Sequence, residues 1–385
     1  MTRTADVVVV GGGVVGASAA YHLAAAGVAS VLLLERADRL AAGSTGACAG
    51  GFRVQFSSEV NIRLSLASVP MILGFSEEHG LPLDVVQHGY LFLVRDERAW
   101  EAFVAAHRLQ RSLGADAELL SAAEAAVLVP GISLDGVIGA AYGPKDGIAD
   151  PSGLTQGYAT AARREGASVE LGVEVSGIVV SAGRVVGVRT VGGEEVSAPV
   201  VVNAAGPWAG LLAATAGVEL PLEPIPRHVL VTGPFPGVPE RRTLVIDAVT
   251  SFYFHREGPG VLMGMGSPDE RPTFDTTADE AFVAERLLPT AVRTFPPLEE
   301  AAIEHSWVGL YEMTPDRHPI LGSAPGVEGL YLANGFSGHG FQHAPIVGKL
   351  LAEMIVEGAA RTVDVSELGL ERFATGDLVR EAHVV

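Results

Sequence analysis

Lysine is almost missing from this chain: Lys145 and Lys349 are the only two, so arginine carries nearly all of the positive charge. Basic residues are also outnumbered, 26 Lys and Arg against 45 Asp and Glu, which leaves a net charge of −19 at pH 7. A surface of that sign disfavours nucleic acid and anionic membranes as partners. A single cysteine, Cys48, excludes an internal disulfide and a thiolate metal cluster. The eleven histidines show no metal-ligand spacing, because His339 and His343 straddle a turn and a helix start, so no metal is expected. No apolar run is long enough to cross a bilayer. The run from Val7 to Val15 is broken by glycine and flanked only by Arg3, which argues against a signal peptide. No repeat or low-complexity tract is present. The expectation is a soluble cytoplasmic protein. Its 385 residues, 48% hydrophobic, are too many for one ordinary core, so two intertwined domains are expected.

The informative stretch is the amino terminus. Val7 to Val10 run into Gly11-Gly12-Gly13-Val14-Val15-Gly16, an alanine-rich segment follows over 17–26, and a second apolar run, Val31 to Leu34, stops at Glu35. The reading is strand, tight turn, helix, strand. Gly11 permits the turn, Gly13 lets backbone approach a pyrophosphate, and Gly16 lets the helix pack on the strand. The helix N-terminus then faces phosphates with free N–H groups and a positive dipole end. Glu35 is placed to take both hydroxyls of an adenosine ribose, which disfavours a 2′-phosphate and leaves FAD or NAD.

Small residues dominate from Ala41 to Gly51, including Ser44, Thr45, Gly46, Cys48 and Gly50, as a backbone pressed against a flat ligand requires. Cys48 is read there as a packing residue. Ser57 or Ser58 reads as an N-cap for a helix with Ile62, Leu66, Val69 and Leu73 on one face and a kink at Pro70. Residues 89–94 read as a strand and 97–113 as an amphipathic helix. Asp150-Pro151 opens another helix through Arg164. Three strands, 173–180, 184–191 and 196–203, read as a β-meander that ends in Asn203-Ala204-Ala205-Gly206-Pro207-Trp208. Residues 252–256 and 261–265 read as paired strands, and 278–295 as a helix. The strand 330–334 leads into a glycine-rich turn, Gly335 to Gln342, with Pro345 as the first residue of the helix through Val356. Residues beyond Glu371 read as a tail.

These motifs, in this order, together with the 307–316 stretch, resemble the glycine oxidase, sarcosine oxidase and D-amino-acid dehydrogenase (DAO) superfamily of FAD enzymes. The nearest flavour is the sarcosine oxidase β-subunit type. The wording at Ser44-Thr45-Gly46 and 336–342 also resembles mitochondrial FAD-oxidoreductase-domain proteins linked to respiratory-complex assembly. The resemblance selects FAD over NAD. It implies an α/β fold, with a Rossmann-like FAD-binding domain from 1–80, 143–218 and 305–385. A substrate domain from 81–142 and 219–304 would be interleaved with it as a large antiparallel sheet roofing the flavin. The cofactor contacts it implies fall on Gly11, Gly13, Val15, Gly16, Glu35 and Arg36, then Ser44, Thr45, Gly46, Gly50 and Gly51. They continue through Val175, Ala205, Gly206, Trp208 and Gly309 to Gly335, Phe336, Ser337, Gly338, His339, Gly340, Phe341 and Gln342.

The implied chemistry is hydride removal from a carbon bearing an amine, in a secondary amine or an amino acid such as sarcosine, glycine, proline or a D-amino acid. The imine hydrolyses afterwards, and oxygen or another acceptor takes the electrons. The alternatives are a dehydrogenase subunit that hands electrons to a partner protein or quinone, and a weakly catalytic flavoprotein assembly factor. Three departures from the family pattern matter. Gly309 stands where monomeric sarcosine oxidases carry the flavin-linking cysteine, so FAD is expected to be non-covalent. Tyr311 stands where glycine oxidases have a substrate-carboxylate arginine, and Gln342 where sarcosine oxidases have a lysine. Arg53, Arg227 and Arg256 are the remaining candidates for a carboxylate clamp, since a buried carboxylate without a cation is costly. Tyr253, His255 and Tyr311 are candidate pocket residues, and His339 with its neighbouring turn a candidate for stabilising negative charge on the flavin. Sarcosine oxidases use a lysine near flavin N5 to speed reaction with oxygen, and no lysine lies between Lys145 and Lys349, so the resemblance implies that oxygen is a slow acceptor.

Overall fold

The computed structural model describes residues 3–267, 269 and 271–383. Its centre is the strand Val7–Val10, whose four valines are all buried. It pairs in parallel with Val31–Leu34 on one side and Val200–Asn203 on the other. The sheet has six strands in the order Ser168–Glu170, Val31–Leu34, Val7–Val10, Val200–Asn203, Leu330–Asn334, Ile320–Ser323. Only the last pair is antiparallel. Both faces are covered, which is why these strands read as unbroken apolar runs rather than alternating ones. Val7 and Val9 pack under the helices Val14–Ala25, Pro151–Arg164 and Gly340–Val356. Val8 and Val10 point the other way, onto Ile178, Val188 and Val196 of the meander. Gly11 adopts φ +116, and a side chain at Gly16 would overlap the Gly11 carbonyl oxygen. Turn and close packing thus both depend on glycine.

The second large sheet has eight strands in the order Ile303–Met313, Glu223–Thr232, Gly260–Met265, Tyr253–Glu257, Leu244–Asp247, Tyr90–Val94, Gly139–Gly143, Glu118–Leu120. It is antiparallel except where Leu244–Asp247 runs parallel to Tyr90–Val94. One face packs on the helices Ala122–Leu128 and Leu288–Thr294 through Leu91, Val245, Phe254, Ala291 and Phe295. The other face carries Tyr90, Val229, Leu244 and Tyr253. The α/β class with a Rossmann-like sheet and a second large sheet is thus the architecture found.

Several elements differ from the sequence reading. The run 196–203 is split: Glu195–Ser197 closes the meander, whereas Val200–Asn203 belongs to the parallel sheet. Pro199 lies between them and cannot donate to a ladder. Ile303–Met313 pairs along its length with Glu223–Thr232, so the boundary expected at 304/305 falls inside a strand of the eight-stranded sheet. The 278–295 helix is broken by a π segment, Val283–Leu287. Ser58 holds the N-cap position of Glu59–Leu73 but makes no cap bond, because its hydroxyl donates to Glu381 at 2.7 Å. The last long helix begins at Gly340, not Pro345. Pro345 is accommodated inside it because the Ser68 hydroxyl enters the ladder, donating to the Gln342 carbonyl at 2.6 Å and accepting from the Ile346 N–H at 3.4 Å. The expected tail is folded: Arg372 is buried against Asp316, and Glu381 and His383 are also buried.

Candidate functional site

A cavity of about 570 Å³ opens at the carboxyl ends of the parallel strands, beneath the inner face of the eight-stranded sheet. Ligands of open α/β sheets bind at such a crevice. Val10, Leu34, Ala204 and Ala333 reach it from the parallel sheet, and Tyr90, Arg227, Val229, Leu244 and Tyr253 from the other.

The wall begins at the glycine turn. Gly13 precedes the helix Val14–Ala25 without a side-chain cap, so orphan N–H groups and the positive dipole end face this side. The Val14 N–H donates to Thr45 Oγ1 at 3.2 Å. Glu35 is pinned by two backbone N–H groups, Gly12 at 2.6 Å and Ala37 at 2.8 Å. The Arg36 guanidinium lies 3.6 Å over the Trp208 ring. The small-residue loop is tied to the eight-stranded sheet by three bonds. Ser44 donates to the Leu310 carbonyl at 2.6 Å, Trp307 Nε1 to the Ala47 carbonyl at 3.1 Å, and His255 Nε2 lies 3.1 Å from the Ala49 carbonyl. Cys48 lies in this wall, its sulfur accepting the Gly50 N–H at 3.2 Å, and burial pushes its thiol up to about 11. The thiol is therefore neutral at pH 7.

The far wall comes from the strand Ile303–Met313 and the glycine-rich turn before Gly340–Val356. Gly309, Tyr311, Glu312, Phe336, Gly338, Gly340 and Phe341 all line the cavity. The Arg227 guanidinium stacks 4.6 Å over Tyr311. Glu312 accepts the Phe336 N–H at 3.4 Å, and burial pushes its carboxyl up to about 7. Its Oε2 is buried without a hydrogen-bond partner among the described residues.

The structure therefore brings Gly11, Gly13, Val15, Glu35, Arg36, Ser44, Thr45, Gly51, Val175, Ala205, Gly206, Trp208, Gly309, Phe336, Gly338, Gly340, Phe341, Tyr253 and Tyr311 to one cavity. Others shape it from behind. Gly16, Gly46 and Gly50 face backbone carbonyls at packing contacts. Gly335 turns at φ +73 against Thr314, whose N–H bonds the Ser337 hydroxyl at 3.2 Å.

Five expected functional side chains lie elsewhere. Arg53 is buried away from the cavity, bonded to the Gln55 and His383 carbonyls and stacked over Phe56. Gln342 is spent on backbone, accepting the Arg53 N–H and donating to its carbonyl, both at 3.0 Å. His255 holds the Ala49 carbonyl rather than facing the cavity. His339 is buried edge-on to Phe56, and desolvation pushes its ring well below the usual histidine range, so it is neutral and not a cation. Arg256 bonds the Gly258 and Pro239 carbonyls at 3.1 and 3.2 Å. Among the three arginines considered, Arg227 is the one that lines the cavity. Glu312 stands outside the residues expected from the sequence, although an acid set among Trp307, Val308, Leu310, Tyr311 and Met313 was a visible signal.

A helix start preceded by glycine, a pinned acid just after the second strand, an orphan carboxyl oxygen and glycine-lined walls fit an elongated dinucleotide better than a compact ligand. Residues 6–354 match the family of FAD dependent oxidoreductases (DAO). The chain belongs to that family. It is 34% identical to the FAD-dependent oxidoreductase domain-containing protein 1 of Bos taurus, covering 98% of this chain and 86% of that protein. It is 32% identical to mitochondrial sarcosine dehydrogenase of Homo sapiens over 93% of this chain, which spans only 40% of that longer protein. The structure of L-proline dehydrogenase from P. horikoshii superposes with a TM-score of 0.90 at 33% identity, over 98% of this chain and 100% of that one. This DAO-family protein is an FAD-dependent oxidoreductase. No described helix is long and apolar enough to cross a membrane.

Proposed function

We propose that the protein oxidises a C–N bond of a secondary-amine amino acid, of the sarcosine or proline type, with non-covalently held FAD. Bound FAD supplies the hydride acceptor. The chain's own groups do the rest. Backbone N–H groups at the start of Val14–Ala25 hold the pyrophosphate, and Glu35 takes the adenosine ribose. The walls at 43–51, 205–208 and 335–341 hold the remainder. Gly309 offers no sulfur for a covalent link.

The observation that carries the substrate reading is Arg227. It is a buried guanidinium that lines the cavity against Tyr311, with Tyr253 also in the wall. Arginine binds a carboxylate bidentately and fixes its plane. Arg227 thus orients the substrate carboxylate in place of the missing family clamps, while the aromatic walls exclude water. Two relatives named for sarcosine and proline, both secondary-amine amino acids, support that class. The cavity wall holds no lysine among the described residues, which supports an electron acceptor other than oxygen, a partner protein or quinone. The test is an anaerobic screen of sarcosine, proline, other secondary amines, D-amino acids and 2-hydroxy acids, read as bleaching of the oxidised flavin. We expect amino acids with a secondary amine to bleach it. Arg227→Met should raise KM by about 30-fold or more, the ratio that ~2 kcal/mol produces, with FAD content unchanged. Bleaching by amines that lack a carboxylate, unaffected by this substitution, would remove the proposed clamp. Rapid reoxidation by air in a stopped-flow trace would overturn the acceptor reading.

A further inference from the structure

A second cavity of about 490 Å³ adjoins the first, and Arg227 lines both. Its composition is unlike the rest of a chain that carries −19. Among the described residues, Arg227, Arg286, Arg293 and Arg317 line it against a single acid, Glu285. Three separate parts of the chain deliver these guanidinium groups: the strand Glu223–Thr232, the π segment Val283–Leu287 with the helix after it, and the turn following Met313. The Arg286 and Arg317 guanidinium groups make no hydrogen bond or ion pair with any described residue, and Arg293 reaches only the Thr290 hydroxyl at 3.3 Å.

The backbone that builds this wall is also unusual. Ser251 at φ +58 and Arg317 at φ +63 are two of only five described non-glycine residues in the left-handed region, and both line this cavity. Backbone held there is strained, and strain of this kind concentrates at functional sites. The π segment that carries Arg286 is a further irregularity of the same class. Hydroxyls of Thr250, Ser251, Ser267 and Thr290 add neutral polar groups.

We propose that this second cavity is a binding site for a small multivalent oxyanion, a phosphate monoester or a di- or tricarboxylate, adjoining the flavin cavity across Arg227. Guanidinium forks match the oxygen geometry of both ligand classes. The site does not depend on the amine-oxidation reading, because binding is measured without an amine substrate.

The FAD-loaded protein is titrated calorimetrically with inorganic phosphate and, separately, with citrate, at constant ionic strength against a sodium chloride control. Saturable binding is expected for at least one probe, and the tighter of the two assigns the phosphate or the carboxylate class. The double substitution Arg286→Ser with Arg317→Asn should weaken it at least tenfold, with the flavin spectrum and melting temperature unchanged. Asn is chosen because it tolerates a positive φ. Should the double variant melt early, the single Arg286→Ser variant, altered at an exposed side chain, gives the same reading with a smaller loss. Heats indistinguishable from the chloride control for both anions, or unchanged affinity in a stably folded variant, would overturn the proposal.

Discussion

Glu312 shows what one side chain decides. It sits in a cavity wall, half of its hydrogen-bonding capacity used by backbone, with burial raising its carboxyl to about 7. A carboxyl whose folded value lies above its unfolded value stabilises the fold while protonated. That contribution is complete below about pH 4.5 and is lost as pH rises through about 7. Glu312→Gln keeps the shape and removes the ionisation. The FAD-free variant should therefore melt several degrees above the parent at pH 8 and no higher at pH 4.5, as read by circular dichroism. Arg53 makes the opposite point. As a sequence residue it was indistinguishable from Arg227, both being arginines beside apolar runs. Only the fold turns Arg53 inward onto carbonyls and the Phe56 ring and Arg227 toward the cavity.

Among the elements, the carboxyl-terminal segment carries more than its composition suggested. Glu381 accepts hydrogen bonds from the hydroxyls of Ser57 and Ser58, at 2.5 and 2.7 Å, and from Asn61 at 3.1 Å, which locks the start of the helix Glu59–Leu73. Arg372 donates two hydrogen bonds to Asp316, at 2.7 and 3.1 Å, with both side chains buried. Removing one member of a buried pair strands the other charge, at a cost of about 3–5 kcal/mol. Arg372→Met should lower the urea unfolding midpoint accordingly, and Arg372→Met with Asp316→Leu should recover much of the loss. A single variant as stable as the parent would show that the segment is dispensable. The helix Gly340–Val356 teaches a related lesson. Pro345 signals a helix start by itself, yet Ser68 from another helix repairs the ladder and moves the start to Gly340. No local pattern announces a repair made from far along the chain.

Across the whole molecule, buried titratable groups set the pH range of the fold. Burial drives His22 and His343 down to about 3 and His383 to about 4, and lowers His255 and His339 as well. Histidines held neutral stabilise the fold fully above their unfolded value of about 6.5 and lose that contribution as pH falls through the folded values. Asp146 and Glu312, both raised to about 7, act in the opposite sense over the same range. Five histidines outweigh two carboxyls, since each tenfold change in a group's proton affinity on folding is worth about 1.4 kcal/mol. Stability should therefore fall between pH 7 and pH 5, measured as the urea midpoint at each pH. A midpoint that rises toward pH 5 would contradict this balance.

Short-range pattern determined the nucleotide half of this protein. Four valines, a glycine turn, an alanine-rich helix and a closing acid are contiguous, so local sterics and periodicity are enough to read strand, turn, helix and ribose-height carboxylate. The family motifs, each short and in order, carried the cofactor. Tertiary structure decided which of the chemically equivalent side chains meet. Register in the eight-stranded sheet brings Arg227 beside Tyr311 and places Glu312 in the wall; chain reversal after residue 371 buries Glu381; and packing turns Arg53, His255, His339 and Gln342 away from the cavity. These are contacts between residues tens to hundreds of positions apart. Their free energies depend on burial and on partners that composition and spacing do not encode.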